Sequence, residues 1–137
     1  MATDFTDYTE LDLPRMVEYK HRELTREIIN AAYAVHNTLG YGFLERVYHR
    51  SLFIELCKRG YSVEFEKPIE VLYDNQVVGD FSADLLIENK IVVEVKAADK
   101  YAGVFEAQLL NYLKAAGLEV GLIINFGPSV EVKRMVL

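Results

Sequence analysis

Asp84, Glu94 and Lys96 are the residues whose types and spacing could do chemistry. Glu94 and Lys96 sit two apart in Lys90-Ile91-Val92-Val93-Glu94-Val95-Lys96-Ala97, a Val- and Ile-rich stretch that favours a strand. Alternation puts Ile91, Val93 and Val95 on one face and Val92, Glu94 and Lys96 on the other. An acid and a base thus share one end of an otherwise apolar strand. Burying them is unfavourable unless they pair or bind a metal. The run just before, Phe81 to Ile87, adds Asp84. A turn at Glu88-Asn89-Lys90 makes the two runs a hairpin, and symmetric pairing about Asn89 sets Asp84 opposite Glu94. Cross-strand neighbours on one face lie about 4.5–5.5 Å apart. Two carboxylates that close repel and favour a cation between them. Hard cations such as Mg²⁺ take oxygen ligands and keep several waters. A water so bound loses its proton far more easily. A lysine on that face can orient the water or stabilise charge on a transferring phosphate. The alternative is a surface ion pair of Lys96 with Glu94 or Asp84, because E-x-K is short and common in strands.

Other candidates are weaker taken singly. Glu45 follows Gly42-Phe43-Leu44 in the first turn of an expected helix, where an acid complements the helix dipole. It is either that or a third oxygen ligand reaching the sheet. Tyr48, three residues on, shares its side of the helix. Gln108 and Tyr112, four apart, share a face of a later helix. They could touch a nucleotide or a metal water, or be an exposed amide beside a core tyrosine. His36, near a glycine turn, reads as a local hydrogen-bonding residue rather than a catalyst. No Cys or His cluster has zinc spacing, and no phosphate-binding glycine loop or nucleophile elbow is present.

The elements that must position these residues follow from periodicity. Leu24, Ile28, Ala31, Ala32, Val35 and Leu39 recur at helical spacing and predict a helix from about Glu18 to Leu39, ended by Gly40-Tyr41-Gly42. Leu44, Val47, Tyr48, Leu52 and Leu56 predict a second, from Phe43 or Leu44 to Arg59, stopped by Gly60. Strand patterns cover Val63 to Lys67, Ile69 to Tyr73, Gln76 to Phe81, Ala83 to Ile87 and Ile91 to Lys96. Pro68 marks an edge strand or a break, and Asp74-Asn75 a hairpin turn. The short turns imply an antiparallel meander. A third helix, Val104 to Ala116, leads to a buried strand, Val120 to Asn125, through what should be a parallel crossover. Val130 to Met135 is an edge strand. The sum is an α/β fold, a central mixed β-sheet flanked by helices.

Bulk properties agree. The 137 residues fit one domain, here 21–137, preceded by a polar arm over 1–20. A net charge of −6 argues against a general basic coat for nucleic acid but not against a local basic groove, for which Arg46, Lys67, Lys100 and Lys114 are candidates. The one cysteine, Cys57, excludes an internal disulfide and reads as a packing residue in an apolar helix. No apolar run approaches the ~20 residues that span a bilayer, and the N-terminus lacks a signal peptide's pattern. The expectation is a cytoplasmic protein without a membrane partner.

Gly42-Phe43-Leu44-Glu45-Arg46-Val47-Tyr48 matches G-x-x-E-x-x-Y, the pattern for which the small GxxExxY family is named. Together with Asp84, Glu94-Val95-Lys96 and Gln108-Leu109-Leu110-Asn111-Tyr112, it resembles the PD-(D/E)xK nuclease superfamily, in particular its RecB-type branch with a Q-x-x-x-Y motif. The similarity covers roughly residues 20 to 130. It implies a restriction-endonuclease-like core (αβββαβ) and a metal-dependent nuclease acting on DNA. It also implies Mg²⁺ or Mn²⁺ held by Glu45, Asp84, Glu94 and the main chain of Val95, with Lys96 activating the attacking water. Gln108, Tyr112 and Tyr48 would then be supporting residues. Ala83 stands where the superfamily's name has proline. The alternative is a nuclease-fold module that binds nucleic acid or a protein without turnover. A third possibility is self-association into a homo-oligomer through the open edge at 130–136.

Overall fold

The computed structural model describes residues 20–137, so the expected arm over 1–20 lies outside it except for Lys20. The elements are α1 (Arg22–Leu39), α2 (Glu45–Lys58), β1 (Val63–Tyr73), β2 (Gln76–Ile87), β3 (Ile91–Lys96), α3 (Glu106–Ala116), β4 (Val120–Phe126) and β5 (Val130–Val136). They build one mixed sheet in the order β1-β2-β3-β4-β5. All strand neighbours are antiparallel except β3 and β4, which run parallel across the α3 crossover. Both hairpin turns use two consecutive residues at positive φ, Asp74-Asn75 and Glu88-Asn89, as a tight hairpin of matching twist requires.

Two cores sandwich the sheet. Ile28, Ala32 and Val35 of α1 and Leu52 and Leu56 of α2 bury one face with Leu85, Val93, Val95 and Leu122. Leu109 and Leu113 of α3 bury the other with Ala83, Leu86, Val92 and Ile123. Strands covered on both sides read as continuous apolar runs, which is why β4 is buried along its whole length. α3 sits so close to β4 that a Cβ on Gly121 would lie 2.9 Å from Leu109 Cδ1.

Several boundaries differ from expectation. α1 begins at Arg22, after His21 at φ 56; the expected start at Glu18 lies outside the described residues. α3 begins at Glu106, and Val104 stands exposed in the preceding turn. Cys57 is exposed rather than packed, because the buried stripe through Tyr48, Leu52 and Leu56 leaves it one residue off the apolar face. Val63 to Lys67 and Ile69 to Tyr73 are one strand that runs through Pro68, a position tolerated on a sheet edge. The irregularities lie instead at Glu66, which has φ 54 and drops out of the ladder between Phe65↔Leu85 and Lys67↔Ala83, and between Val71 and Leu72, where the register shifts. At Glu66 the hairpin rolls over. Phe65 and Leu85 face the α1/α2 core, whereas Ile69 and Ala83, also odd-numbered, face the α3 core. Among the described residues no helix is long and apolar enough to cross a membrane.

Candidate active site

Asp84 sits at that roll-over, next to the end of the β2–β3 ladder. Pairing about Asn89 holds for Ile87↔Ile91, Leu86↔Val92 and Leu85↔Val93, and stops one step before Asp84 and Glu94. Side chains replace the missing backbone pair. The Asp84 N–H donates to Glu94 Oε2 at 2.8 Å, and the Val95 N–H donates to Asp84 Oδ2 at 2.7 Å. Each acid therefore ties down the main chain of the other strand, and both carboxylates are held in the gap. In an extended residue the N–H and C=O point to the same side. The Val95 carbonyl consequently faces this gap rather than β4. Glu94 is 8% exposed. Its carboxyl is pushed up to about 7, first by burial and then by the Asp84 carboxylate. The Asp84 N–H and Lys96 oppose the rise, and Glu45 adds to it weakly.

Lys96 shares a face with Glu94, as alternation requires, but it is ion-paired with neither acid among the described residues. Its Nζ lies 4.0 Å over the Phe105 ring at the start of α3, a cation–π contact. The surface ion pair considered above is not formed. Gln108 is exposed, one turn before Tyr112 on α3. The Tyr112 ring stacks on Phe81 at 3.7 Å. Its phenol is pushed up first by burial, then by the charges of Glu94 and Asp84. Gln108 and Tyr112 also line a cleft of about 580 Å³ between α3 and the β1–β2 hairpin.

Glu45 does not join the pair. It lies exposed in the first turn of α2, and among the described residues no three His, Cys, Asp or Glu side chains are close enough to hold a metal ion. Asp84 and Glu94 form a close pair, and Glu45 acts on Glu94 through its charge. α2 packs on the sheet face opposite α3, and the Glu45 charge still reaches Glu94 and raises its pKa. Tyr48 is buried and supports the turn before α2. Its hydroxyl donates to the Gly40 carbonyl at 2.6 Å and accepts the Phe43 N–H at 3.2 Å, while its ring stacks on Phe126 at 4.7 Å. His36 is structural, with Nε2 2.9 Å from the Gly127 carbonyl. Of the candidate cations, Lys67 pairs with Glu64 at 3.0 Å, and Arg46, Lys100 and Lys114 are exposed.

Two groups around the pair escape a reading by motif. His49 is buried, stacks on Phe65 at 4.3 Å, and places Nε2 2.9 Å from the Asp84 carbonyl. The spacing Glu45, His49, Leu52, Leu56 puts it on one helical face, which was the available signal. Asn125 is 1% exposed. Its Oδ1 accepts the Ala98 N–H at 2.8 Å, and its Nδ2 donates to the Ala98 carbonyl and to Glu131. Glu131 also accepts the Tyr101 N–H. The loop after Lys96 is thereby pinned to β4 and β5. Tyr41 bonds Asp99 from the α1–α2 turn and clasps the same loop.

Comparison with known proteins agrees with this architecture. A family model described as the PD-(D/E)XK nuclease superfamily matches residues 22–135. Among solved structures, the crystal structure of SSO0001 superposes with a TM-score of 0.55 at 23% sequence identity, over 90% of this chain and 61% of that one. The chain thus spans less than two thirds of that protein, and the likeness is one of fold, consistent with a restriction-endonuclease-like core. No curated protein matches the chain.

Proposed function

The chain belongs to the PD-(D/E)XK nuclease superfamily, and from that membership we propose that it is a metal-dependent nuclease hydrolysing phosphodiester bonds, with DNA as substrate. The observation that supports this most is the reciprocal clasp of Asp84 and Glu94 across the open end of the ladder. Two carboxylates and a main-chain carbonyl are hard oxygen donors, the set that suits Mg²⁺ or Mn²⁺. Asp84, Glu94 and the Val95 carbonyl would hold the ion, with Glu45 as the outer acid. When bound, such an ion would make its water a stronger acid than bulk water and would neutralise charge on the phosphate. Lys96, on the face of Glu94, donates to the attacking water or to a phosphoryl oxygen. Gln108 and Tyr112 support the acid pair from α3, and Tyr48 holds the start of α2 and with it Glu45.

The test is cleavage of plasmid, single-stranded and double-stranded DNA, and RNA, with Mg²⁺ or Mn²⁺. Wild-type protein should cut DNA, chelator or Glu94→Gln should abolish the cutting, and Lys96→Met should reduce it by about 100-fold or more. A wild-type protein inert on every form with either ion refutes the proposal. A second reading, a module that binds nucleic acid or protein without turnover, draws on Glu45 standing apart and on Lys96 resting over Phe105. It predicts binding with no metal requirement and no loss on Glu94→Gln.

A further inference from the structure

We propose that His49 is a positioning residue that sets the Asp84 carboxylate, and through it the affinity of the site for its divalent ion; the inference rests on the nuclease reading above. Every buried main-chain polar group needs a partner. Glu66 turns away at φ 54 and leaves the ladder, so Asp84 loses its place opposite β1. Pairing with β3 has also ended, at Leu85. Two side chains take over the main-chain groups of Asp84. Glu94 Oε2 accepts the N–H at 2.8 Å. His49 Nε2 lies 2.9 Å from the C=O. A carbonyl oxygen can only accept, so Nε2 must carry the proton and donate.

The peptide groups flanking Asp84 are thus fixed from opposite sides of the sheet. Glu94 holds one from the α3 face, and His49 holds the other from the α2 face. With the main chain fixed, the side chain is aimed so that Oδ2 meets the Val95 N–H at 2.7 Å. His49 is itself immobilised by the Phe65 ring, stacked at 4.3 Å and 10°. Phe65 is the last paired residue before Glu66. α2 therefore carries two functions one turn apart: Glu45 as an outer acid, and His49 as the brace of an inner one. Partners that orient a metal ligand change affinity by about 10–100-fold when removed. Here the brace acts on the ligand's main chain.

The experiment uses the full chain and three variants. His49→Phe keeps a ring against Phe65 but removes the donor. His49→Gln places an amide N–H at similar reach. Leu52→Ala loosens α2 in the core without touching Asp84. Titration calorimetry with Mn²⁺ should show affinity falling about tenfold in His49→Phe and largely restored in His49→Gln. Leu52→Ala should lose stability and keep its affinity. Amide exchange on metal-free protein is the second readout. In His49→Phe the Asp84 and Val95 amides should exchange about tenfold faster, relative to Ile123 in β4, than in wild type. Unchanged Mn²⁺ affinity in folded His49→Phe overturns the inference. So does an equal loss in Leu52→Ala, or unaltered exchange at Asp84 and Val95. If wild-type protein binds no Mn²⁺, the metal reading falls, while the exchange comparison still decides whether His49 braces Asp84.

Discussion

Replacing Glu94 by Gln should stabilise the metal-free protein, and the gain should grow with pH. Glu94 has an ordinary value of 4.5 and is pushed up to about 7 in the fold, by burial first and the Asp84 carboxylate second. Between those values the folded chain keeps a proton that the unfolded chain has released. Stability must therefore fall as pH rises through that interval, and the loss is complete above the folded value. At about 1.4 kcal/mol per pH unit, the interval from 4.5 to about 7 amounts to roughly 3 kcal/mol. Gln is isosteric, does not ionise, and can still accept the Asp84 N–H through its carbonyl oxygen. Below pH 4.5 the two proteins should be similar. At pH 8 in the presence of chelator, Glu94→Gln should be the more stable by about 3 kcal/mol. Urea denaturation followed by circular dichroism at several pH values gives the difference directly. Saturating Mn²⁺ should reverse the order at pH 8, since only the wild type would gain the full ligand set. A Glu94→Gln protein that is less stable by the same amount at every pH refutes the reasoning, because Glu94 would then be neither desolvated nor opposed by Asp84.

Other perturbations separate chemistry from scaffold. Lys96→Met keeps an unbranched apolar stem over Phe105 and should cut DNA cleavage by about 100-fold or more, while Mn²⁺ titration shows affinity nearly unchanged. Tyr48→Phe removes the hydroxyl that joins Gly40 and Phe43 and should cost about 1–2 kcal/mol, read by denaturant unfolding. Gly127→Ala would set a Cβ 2.7 Å from the Ala98 carbonyl. That oxygen is held by Asn125, so the variant should lose about 1–3 kcal/mol in the same assay.

Much of this site follows from local spacing. The faces of Ile91 to Lys96 obey the two-residue period, and the turn about Asn89 sets the register that brings Asp84 beside Glu94. Gln108 and Tyr112 share their face because helices repeat near four. What was not legible is non-local. By residue type Pro68 is the candidate break, yet Glu66, a residue type that rarely takes positive φ, is where the strand turns. Which sheet face α2 covers, and so where Glu45 sits, is not encoded by any spacing within the chain. His49 belongs to no motif, and its value lies in a carbonyl left over on another strand. Asn125 and Glu131 likewise act through the loop at Ala98 and Tyr101, more than 25 residues away.

The most direct test of the acid pair as a metal centre is anomalous diffraction from crystals soaked in Mn²⁺. The arrangement predicts a peak about 2.1–2.2 Å from an Asp84 oxygen, a Glu94 oxygen and the Val95 carbonyl. That peak should be lost in Asp84→Asn. A map at saturating Mn²⁺ that is blank at the end of the β2–β3 ladder contradicts the account, as does one with its peak elsewhere.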